Sequence, residues 1–325
     1  EAAHADPKKN LATDDWKMLH TDGDLSKSHY DMNLAFFDYY LRHALWTGDV
    51  ELLKQTWPVL VRHLAWEQRC FRRPYGGADG SPVLPLYEAY ACIWASDNLQ
   101  YDGGGAAHST ALNYFDNMMA ARIAKIIGQD GTPYEKEAGL ILQGMHRELW
   151  LPEQGVFAES RDILGTKAAN PSPGLWTFYH TVDSQAADAF EAYQMARFVD
   201  TEIGHIPIHG PGVPEGDFYL LPETDWSPYM WSINNVVLAE DAATALADYQ
   251  SGPGRAAQGF AVLKGNILDS MFMGLCPGNT HMSSQFDDNR GESQRDFADP
   301  TAMMTRAIIE GLFGVRPDLL AGQVT

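Results

Sequence analysis

Apolar residues recur at helical spacing along the whole chain, in amphipathic segments separated by turns that Gly and Pro mark. One segment places Leu34, Phe37 and Leu41 on one face, and Thr47-Gly48-Asp49 then supplies a helix stop and an N-cap. A second apolar face follows this turn, so the pattern predicts a helical hairpin. We expect Pro58 to kink or restart its second arm, because proline removes a backbone hydrogen bond.

A second hairpin is marked by Leu112, Phe115 and Met119 on one face and by a Gly-rich turn at 128–131. Thr132-Pro133-Tyr134-Glu135 then offers a capping hydroxyl, a proline at the first helical position and a glutamate three residues after the cap. Further helix starts are predicted at Thr181, at Ser227-Pro228, after Gly254 and at Asp299-Pro300. The pattern predicts about eight helices in total.

Long polar and aromatic connections separate the predicted helices, at 74–107, 151–180, 205–227 and 274–298. Connections of this length are uncommon in compact domains unless they form lids or binding surfaces. We therefore predict an all-α fold, a toroid of antiparallel helical hairpins whose long loops form a cleft at one end. A plain helical bundle or solenoid is the alternative, and the loop lengths argue against it.

Composition and charge exclude several classes of protein. The chain has 45% hydrophobic and 20% charged residues, which is typical of a globular protein. Its formal net charge of -20 repels phosphate backbones, so we expect no nucleic-acid partner. No apolar run approaches the roughly 20 residues of a membrane helix. The three cysteines lack the spacing of a disulfide framework or a zinc site, so free thiols are expected.

The segment 85–108 mixes carboxylates, aromatic rings and a run of glycines. Its candidates for chemistry are Glu88, Tyr90, Trp94, Asp97, Tyr101, Asp102, Gly103-Gly104-Gly105 and His108. Carbohydrate sites use this mixture, because aromatic faces stack on sugar rings and a carboxylate among apolar neighbours gains the raised pKa of a general acid. We expect the glycines to let the backbone approach a ligand closely. The alternative for Asp97 and Asp102 is that both cap turns.

A second candidate, Glu223, precedes a predicted helix and is flanked by Trp226, Tyr229 and Trp231. A carboxylate at this position is well placed to hold and polarise a water molecule. The alternatives are that the aromatic residues pack in the core and that Glu223 favours the helix dipole.

A third candidate, the segment 277–292, holds acids, amides, an arginine and His281, which suits hydrogen bonding to a polyhydroxylated ligand. Asp287 and Glu292 are its candidate carboxylates. Asp287-Asp288-Asn289 also resembles part of a calcium loop, although Gly and Glu are out of register for an EF-hand. A structural calcium and a solvated loop are therefore both alternatives, and we expect no other metal or cofactor. A weaker candidate, Asp183, is expected in the N-terminal cap of the helix at Thr181.

These residues resemble the six-hairpin, or (α/α)6, glycosidase superfamily, and within it the helical domain of family 78 α-L-rhamnosidases. The resemblance rests on four stretches: Trp46 to Pro58, Ser96 to Gly128, Thr181 to Ala187 and Phe297 to Asp318. The whole is similar to an uncharacterised bacterial domain family with a rhamnosidase-like toroid. The resemblance implies an (α/α)6 toroid that acts on carbohydrate.

The chain departs from family 78 at the catalytic base. Those enzymes carry a glutamate in a phrase like "GATTIWERWD", and Ser284 occupies the glutamate position here. The usual acid of that family would lie upstream of residue 1, so neither role carries over. In other six-hairpin families, including the family 63 glucosidase-like group, the acid is an Asp after an early hairpin and the base is a Glu beside aromatics in a late loop. Asp97 and Glu223 resemble those two positions.

We therefore predict a glycoside hydrolase that acts on a polysaccharide or oligosaccharide with inversion, with Asp97 as acid and Glu223 as base. The predicted substrate-binding residues are Trp94, Tyr101, Asp102, His108, Trp226, Tyr229, Trp231, His281, Asp287 and Glu292. One alternative is a non-catalytic sugar-binding or structural toroid that has lost its base, as Ser284 suggests. Another is a phosphorylase or lyase, for which Arg290, Arg295 and His281 are the available residues.

The predicted helices are too few to close six hairpins. We expect residues 1–325 to form most of one catalytic domain, with the missing helices and flanking β domains outside it. Other segments of the same polypeptide, or a partner chain, would complete the toroid. The acidic charge suits an exported enzyme with a cleft for neutral sugars.

Overall fold

A computed structural model describes residues 11–13, 19–20, 31–77, 80–90, 101–210, 212–222, 236–272, 281–283, 293–295 and 298–325. For 11–13, 19–20, 31–32, 89–90, 101–103, 271–272, 281–283, 293–295 and 299 it describes the backbone alone. No helix in these ranges combines the length and apolar character needed to cross a membrane.

The described ranges contain nine α-helices. They are α1 (Asp31–Thr47), α2 (Val50–Cys70), α3 (Ala107–Ile127), α4 (Thr132–Glu148), α5 (Leu175–Asp183), α6 (Ala189–Glu202), α7 (Leu238–Gln250), α8 (Ala256–Ile267) and α9 (Ala298–Arg306). Helices α8 and α9 continue into π-helical turns, Leu268–Phe272 and Ala307–Leu312. The apolar faces that begin the first two predicted hairpins are confirmed, since the residues on them are buried: Leu34, Phe37, Leu41, Leu112, Phe115 and Met119.

The helices form two layers that alternate along the chain. The odd-numbered helices pack side by side in chain order, α1 against α3, α3 against α5, α5 against α7 and α7 against α9. The even-numbered helices pack outside them, α2 and α4 on α3, α6 on α5 and α8 on α7. This alternation of inner and outer helices is the arrangement of an (α/α) toroid, so the predicted fold class is confirmed.

The connections differ sharply between the two ends of the helices. Each inner helix is followed by an outer helix after a short turn, at 48–49, 128–131, 184–188 and 251–255. These turns all lie at the end of the toroid where the inner helices finish, and we call it the turn end. Outer helices lead back to inner helices through 71–106, 149–174, 203–237 and 273–297. All four long connections therefore begin and end on the opposite side of the toroid, where the inner helices begin. We call this side the loop end.

Strands occupy much of these connections. They are β1 (Leu11–Thr13), β2 (Leu19–His20), β3 (Arg72–Tyr75), β4 (Leu84–Tyr90), β5 (Tyr101–Ala106), β6 (Trp150–Leu151), β7 (Val156–Phe157), β8 (Ser160–Asp162), β9 (Ala169–Asn170), β10 (Ile206–Pro207), β11 (Tyr219–Leu220), β12 (His281–Ser283), β13 (Ser293–Arg295), β14 (Pro317–Asp318) and β15 (Gln323–Val324). One antiparallel sheet has the order β3-β4-β5-β8-β9. The segments 74–107 and 151–180, predicted as loops of an all-α fold, thus contribute to one sheet.

Two residues of the glycine run pack against neighbouring strands rather than standing open to a ligand. A Cβ atom built on Gly104 would overlap the carbonyl oxygen of Arg161, on the neighbouring strand β8. A Cβ atom on Gly105 would overlap that of Leu86 on β4. Glycine is therefore required at both positions by close strand packing.

Several local predictions are wrong. The helix expected to start at Thr181 is two helices, because α6 begins separately with a capping box in which Asp188 and Glu191 bond each other's backbone N–H groups. Asp183 therefore ends α5 rather than capping a helix start. The capping hydroxyl predicted at Thr132 is wrong as well, because Thr132 lies within α4, whose N-cap residue is Gly131 without a side-chain cap. Helix α2 continues through Pro58, so this proline does not restart the helix. The helix start predicted at Ser227-Pro228 lies outside the described residues.

Candidate functional site

Most of the predicted site residues lie outside the described residues. These are Asp97 and Glu223, and with them Trp94, Trp226, Tyr229, Trp231, Asp287 and Glu292. Tyr101 and Asp102 lie in β5 and His281 in β12, each described by its backbone alone. In chain order Asp97 and Glu223 fall within two different outer-to-inner connections. The predicted separation of their carboxyl groups stays a prediction.

Among the predicted catalytic and substrate-binding residues, His108 is the one whose side chain is described. It lies in the first turn of α3 and is only 1% exposed. Its ring stacks on the indole of Trp176 in α5, with 5.2 Å between the ring centroids and 25° between the planes. The ring of His180, one turn further along α5, lies 6.2 Å away. The starts of two neighbouring inner helices are therefore joined by aromatic contacts at the loop end.

A buried carboxyl group, Glu159, completes this cluster. Its Oε2 atom accepts hydrogen bonds from the backbone N–H of Gly174, at 2.7 Å, and from the hydroxyl of Thr177, at 2.5 Å. Its Oε1 atom lies 3.9 Å from Nδ1 of His108. Gly174 is the N-cap residue of α5 and has no side chain to offer, so Glu159 supplies the cap from another part of the chain.

Burial keeps this pair uncharged. Desolvation raises the pKa of Glu159 to about 7, although the bonds from Thr177 and Gly174 act in the opposite direction. Desolvation, with a smaller contribution from His180, lowers the pKa of His108 to about 3. In mildly acidic solution Glu159 therefore holds a proton beside a neutral imidazole. A carboxyl group that keeps its proton near neutral pH has the property that general acid catalysis requires.

A second group of acids lies at the start of α7. Asp241 is fully buried, and its Oδ1 atom accepts a hydrogen bond of 3.1 Å from the backbone N–H of Leu221. Burial raises the pKa of Asp241 well above its ordinary value, and the neighbouring carboxylates of Glu240 and Asp269 raise it further. Leu221 precedes Glu223 by two residues. The chain is thus anchored to an inner helix immediately before the predicted base.

Another buried carboxylate, Glu88 of β4, has a structural role in the described part of the site. It forms an ion pair with Arg73 of the adjacent strand β3. Glu88 is a candidate from the sequence, whereas Glu159, Trp176 and Asp241 are not. The sequence signal for Glu159 is only that it falls in an unusually long connection. The burial and mutual contacts of these residues depend on the tertiary structure.

Sequence comparisons give no relative. No protein-family model matches the chain. No curated protein matches it either.

Two solved structures share the fold at low sequence identity, and a third gives a lower TM-score. A chain described as "Sialidase" aligns with a TM-score of 0.60 and 11% identity, covering 84% of this chain and 25% of that one. An uncharacterized conserved protein from Thermus thermophilus aligns with a TM-score of 0.53 and 13% identity, covering 82% of this chain and 75% of that one. A GH63 mannosylglycerate hydrolase from the same organism, in complex with glucose, aligns with a TM-score of 0.44 and 13% identity, covering 62% of this chain and 47% of that one. The chain thus spans a quarter of the sialidase and less than half of the mannosylglycerate hydrolase.

Proposed function

We propose that this chain belongs to the catalytic domain of a glycoside hydrolase that acts on a polysaccharide or oligosaccharide. One observation carries the proposal. All four long connections meet one end of an (α/α) toroid, and buried carboxyl groups with raised pKa values, Glu159 and Asp241, lie at the same end. Perturbed carboxyl groups beside long loops are typical of hydrolytic sites.

The proposed reaction is a single displacement. Asp97 donates its proton to the glycosidic oxygen as the bond from that oxygen to the anomeric carbon breaks. Glu223 takes a proton from a water molecule, whose oxygen bonds to the anomeric carbon from the opposite face. The products are a free hydroxyl group and a sugar of inverted configuration, and this mechanism needs carboxyl groups about 6.5 to 9.5 Å apart.

The described residues support this assignment through the groups that would position the acid and base loops. The bond from Leu221 to Asp241 fixes the connection that carries Glu223 to the first turn of α7. Glu159 and Trp176 hold the start of α5 against His108, which we propose contributes to the wall of the sugar site. The remaining predicted binding residues would contact the sugar from the same connections.

The test is hydrolysis by the full-length protein and its Asp97→Asn and Glu223→Gln variants, assayed on aryl glycosides and on pectic and arabinogalactan oligosaccharides. We expect each substitution to lower kcat by about 10² to 10⁴, because each removes a proton transfer. Glu215→Gln is a matched control, since this exposed residue lies in the same connection as Glu223. NMR of the first product formed reports the anomeric configuration.

Each outcome has a distinct meaning. Activity that survives both substitutions rejects the acid and base assignment, and Glu159→Gln then tests the described carboxyl group as the acid. A wild-type protein that binds these oligosaccharides without cleaving them favours the second candidate, a non-catalytic sugar-binding toroid. The residue at 284 motivates that candidate, because serine cannot act as the base that a glutamate provides in the resembling family.

A further inference from the structure

A cavity of about 570 Å³ opens at the turn end, opposite the proposed catalytic site. All five described inner helices contribute to its wall, which places it on the axis of the toroid. Its principal polar and aromatic lining residues are Arg42, Trp46, Asp183, Gln250, Arg306 and Glu310. Its volume lies within the range of roughly 300 to 1,000 Å³ that small-molecule sites occupy.

An ion network closes the inner side of this cavity. Asp183 Oδ2 lies 3.0 Å from Arg42 Nη2 and 3.0 Å from Arg306 Nη1, and Arg306 Nη2 lies 2.7 Å from Glu310 Oε2. Burial alone would raise the pKa of Asp183, but Arg306 and Arg42 lower it below the ordinary value. The network is therefore ionised and fixed in position.

The same network separates the cavity from the loop end. A second, much smaller cavity of about 30 Å³ lies along the axis, lined by His180 and Glu240 among others. Asp183 and Arg306 border both cavities. A ligand at the turn end is thus held apart from the loop end by charged side chains.

The wall offers hydrogen-bonding groups in fixed positions. Gln250 donates from Nε2 to Asp183 Oδ1 at 2.8 Å, and its buried Oε1 atom has no hydrogen-bond partner within the described residues. Arg122 Nη2 lies 2.5 Å from Asp318 Oδ1 at the cavity wall. The indole of Trp46 is 40% exposed and supplies an apolar face.

The charges of the lining indicate which ligands suit it. The lining arginines Arg42, Arg122, Arg306 and Arg316 are balanced by the acids Asp183, Asp188, Glu310 and Asp318. A charged ligand therefore gains no net attraction, whereas a polyhydroxylated neutral ligand finds both donors and acceptors. Paired guanidinium and carboxylate groups and an indole face match the hydroxyl groups and the C–H face of a sugar ring.

We propose that this turn-end cavity binds a neutral sugar unit of one or two rings, as a second site separate from the proposed catalytic site. The inference rests on the described lining residues and holds whether or not the loop end is catalytic. Its ligand would contact Trp46 and the Arg122–Asp318 pair on the cavity wall.

The test is saturation-transfer difference NMR with methyl α-L-rhamnopyranoside and methyl β-D-glucopyranoside, each at millimolar concentration. We expect at least one of them to give a signal that Trp46→Ala weakens about fivefold or more, because the stacking surface is lost. Arg122→Met provides a second variant on a different helix and should weaken the same signal. Phe36→Ala is the matched control, since Phe36 is exposed on the same helix as Trp46 but does not line the cavity.

The outcomes separate this proposal from the proposed function. Asp97→Asn should leave the turn-end signal intact even where it abolishes hydrolysis. Absence of any signal for both glycosides in the folded wild-type protein overturns the proposal. A signal that keeps its full strength in both Trp46→Ala and Arg122→Met also overturns it, because the sugar would then bind outside this cavity.

Discussion

The two ends of the toroid satisfy their helix termini in different ways. At the turn end, outer helices α2 and α6 begin with their own caps, in which Asp49 accepts from the N–H of Leu52 and Asp188 from that of Glu191, whereas α4 and α8 begin without a side-chain cap. At the loop end, inner helices α3, α5 and α7 all begin without a side-chain cap of their own. Neighbouring residues thus cap two helices at the turn end, whereas α5 at the loop end is capped by Glu159 from a distant part of the chain.

Two buried aspartates, Asp183 and Asp241, also differ between the ends. Asp183 at the turn end is held ionised by Arg42 and Arg306, which lower its pKa. Asp241 at the loop end has acidic neighbours, and burial raises its pKa. One residue type therefore carries a fixed charge at Asp183 and holds a proton at Asp241, because the first has arginine neighbours and the second has acidic ones.

The largest expected effect comes from removing the compensating charge at the turn end. Asp183→Ala leaves Arg42 and Arg306 buried without their shared partner, and we expect a loss of about 3 to 5 kcal/mol in the free energy of unfolding. Urea denaturation measures it. Asp217→Ala, in an exposed loop position, is the control and should change stability by no more than about 0.5 kcal/mol. An equally small change for Asp183→Ala would show that the network is not what stabilises the turn end.

A smaller, pH-dependent effect is expected from Glu159→Gln at the loop end. The pKa of Glu159 rises from 4.5 to about 7 on folding, so the unfolded chain ionises first as the pH increases. The free energy of unfolding of the wild type should therefore decrease as the pH rises from 4.5 to about 7 and should stay constant above that pH. The variant lacks this fall. Its free energy of unfolding should exceed that of the wild type by on the order of 3 kcal/mol above pH 7 and should equal it below pH 4.5.

Thermal unfolding across this pH range measures the difference. Glu153→Gln, an exposed residue in the same connection, should leave the pH profile of the wild type unchanged. A pH-independent difference between Glu159→Gln and the wild type would mean that Glu159 is ionised when buried, and the contrast between the two ends would lose its main support.

The smallest effect tests local capping at the turn end. Asp188→Ala removes the acceptor for the N–H groups of Phe190 and Glu191, and we expect the free energy of unfolding to decrease by about 1 kcal/mol. Asp188→Asn keeps an oxygen acceptor and should recover most of this loss. Equal losses for the two variants, measured by chemical denaturation, would point to charge at the helix N-terminus rather than to the hydrogen bonds.

Local sequence signals predict much of the fold. The stop and cap at Gly48 and Asp49 and the apolar face of Leu34, Phe37 and Leu41 give the first hairpin, because capping and helical periodicity depend on neighbouring residues. The sheet is not predicted, since β5 pairs with β8 across more than fifty residues of chain. A glycine run without side chains also gives no strand periodicity to recognise.

The candidate site is predictable only as a set of connections. Sequence reasoning places the chemistry in the long loops, and the structure brings the starts and ends of those loops to one end of the helices. His108 is a candidate from the sequence, whereas its partners Glu159 and Trp176 come from a different connection and a different helix. Contacts between separate connections depend on how the helices pack, which periodicity does not encode.

The helical hairpins, the acidic net charge and the positions of the long connections can all be read from the sequence, because each follows from composition or from residues close together in the chain. Which acids hold a proton and which carry a charge depends instead on the folded structure. Asp183 is ionised because Arg306, far along the sequence, lies 3.0 Å away, and Glu159 is neutral because folding removes it from water. A pKa depends on burial and on neighbouring charges, and both are set by packing.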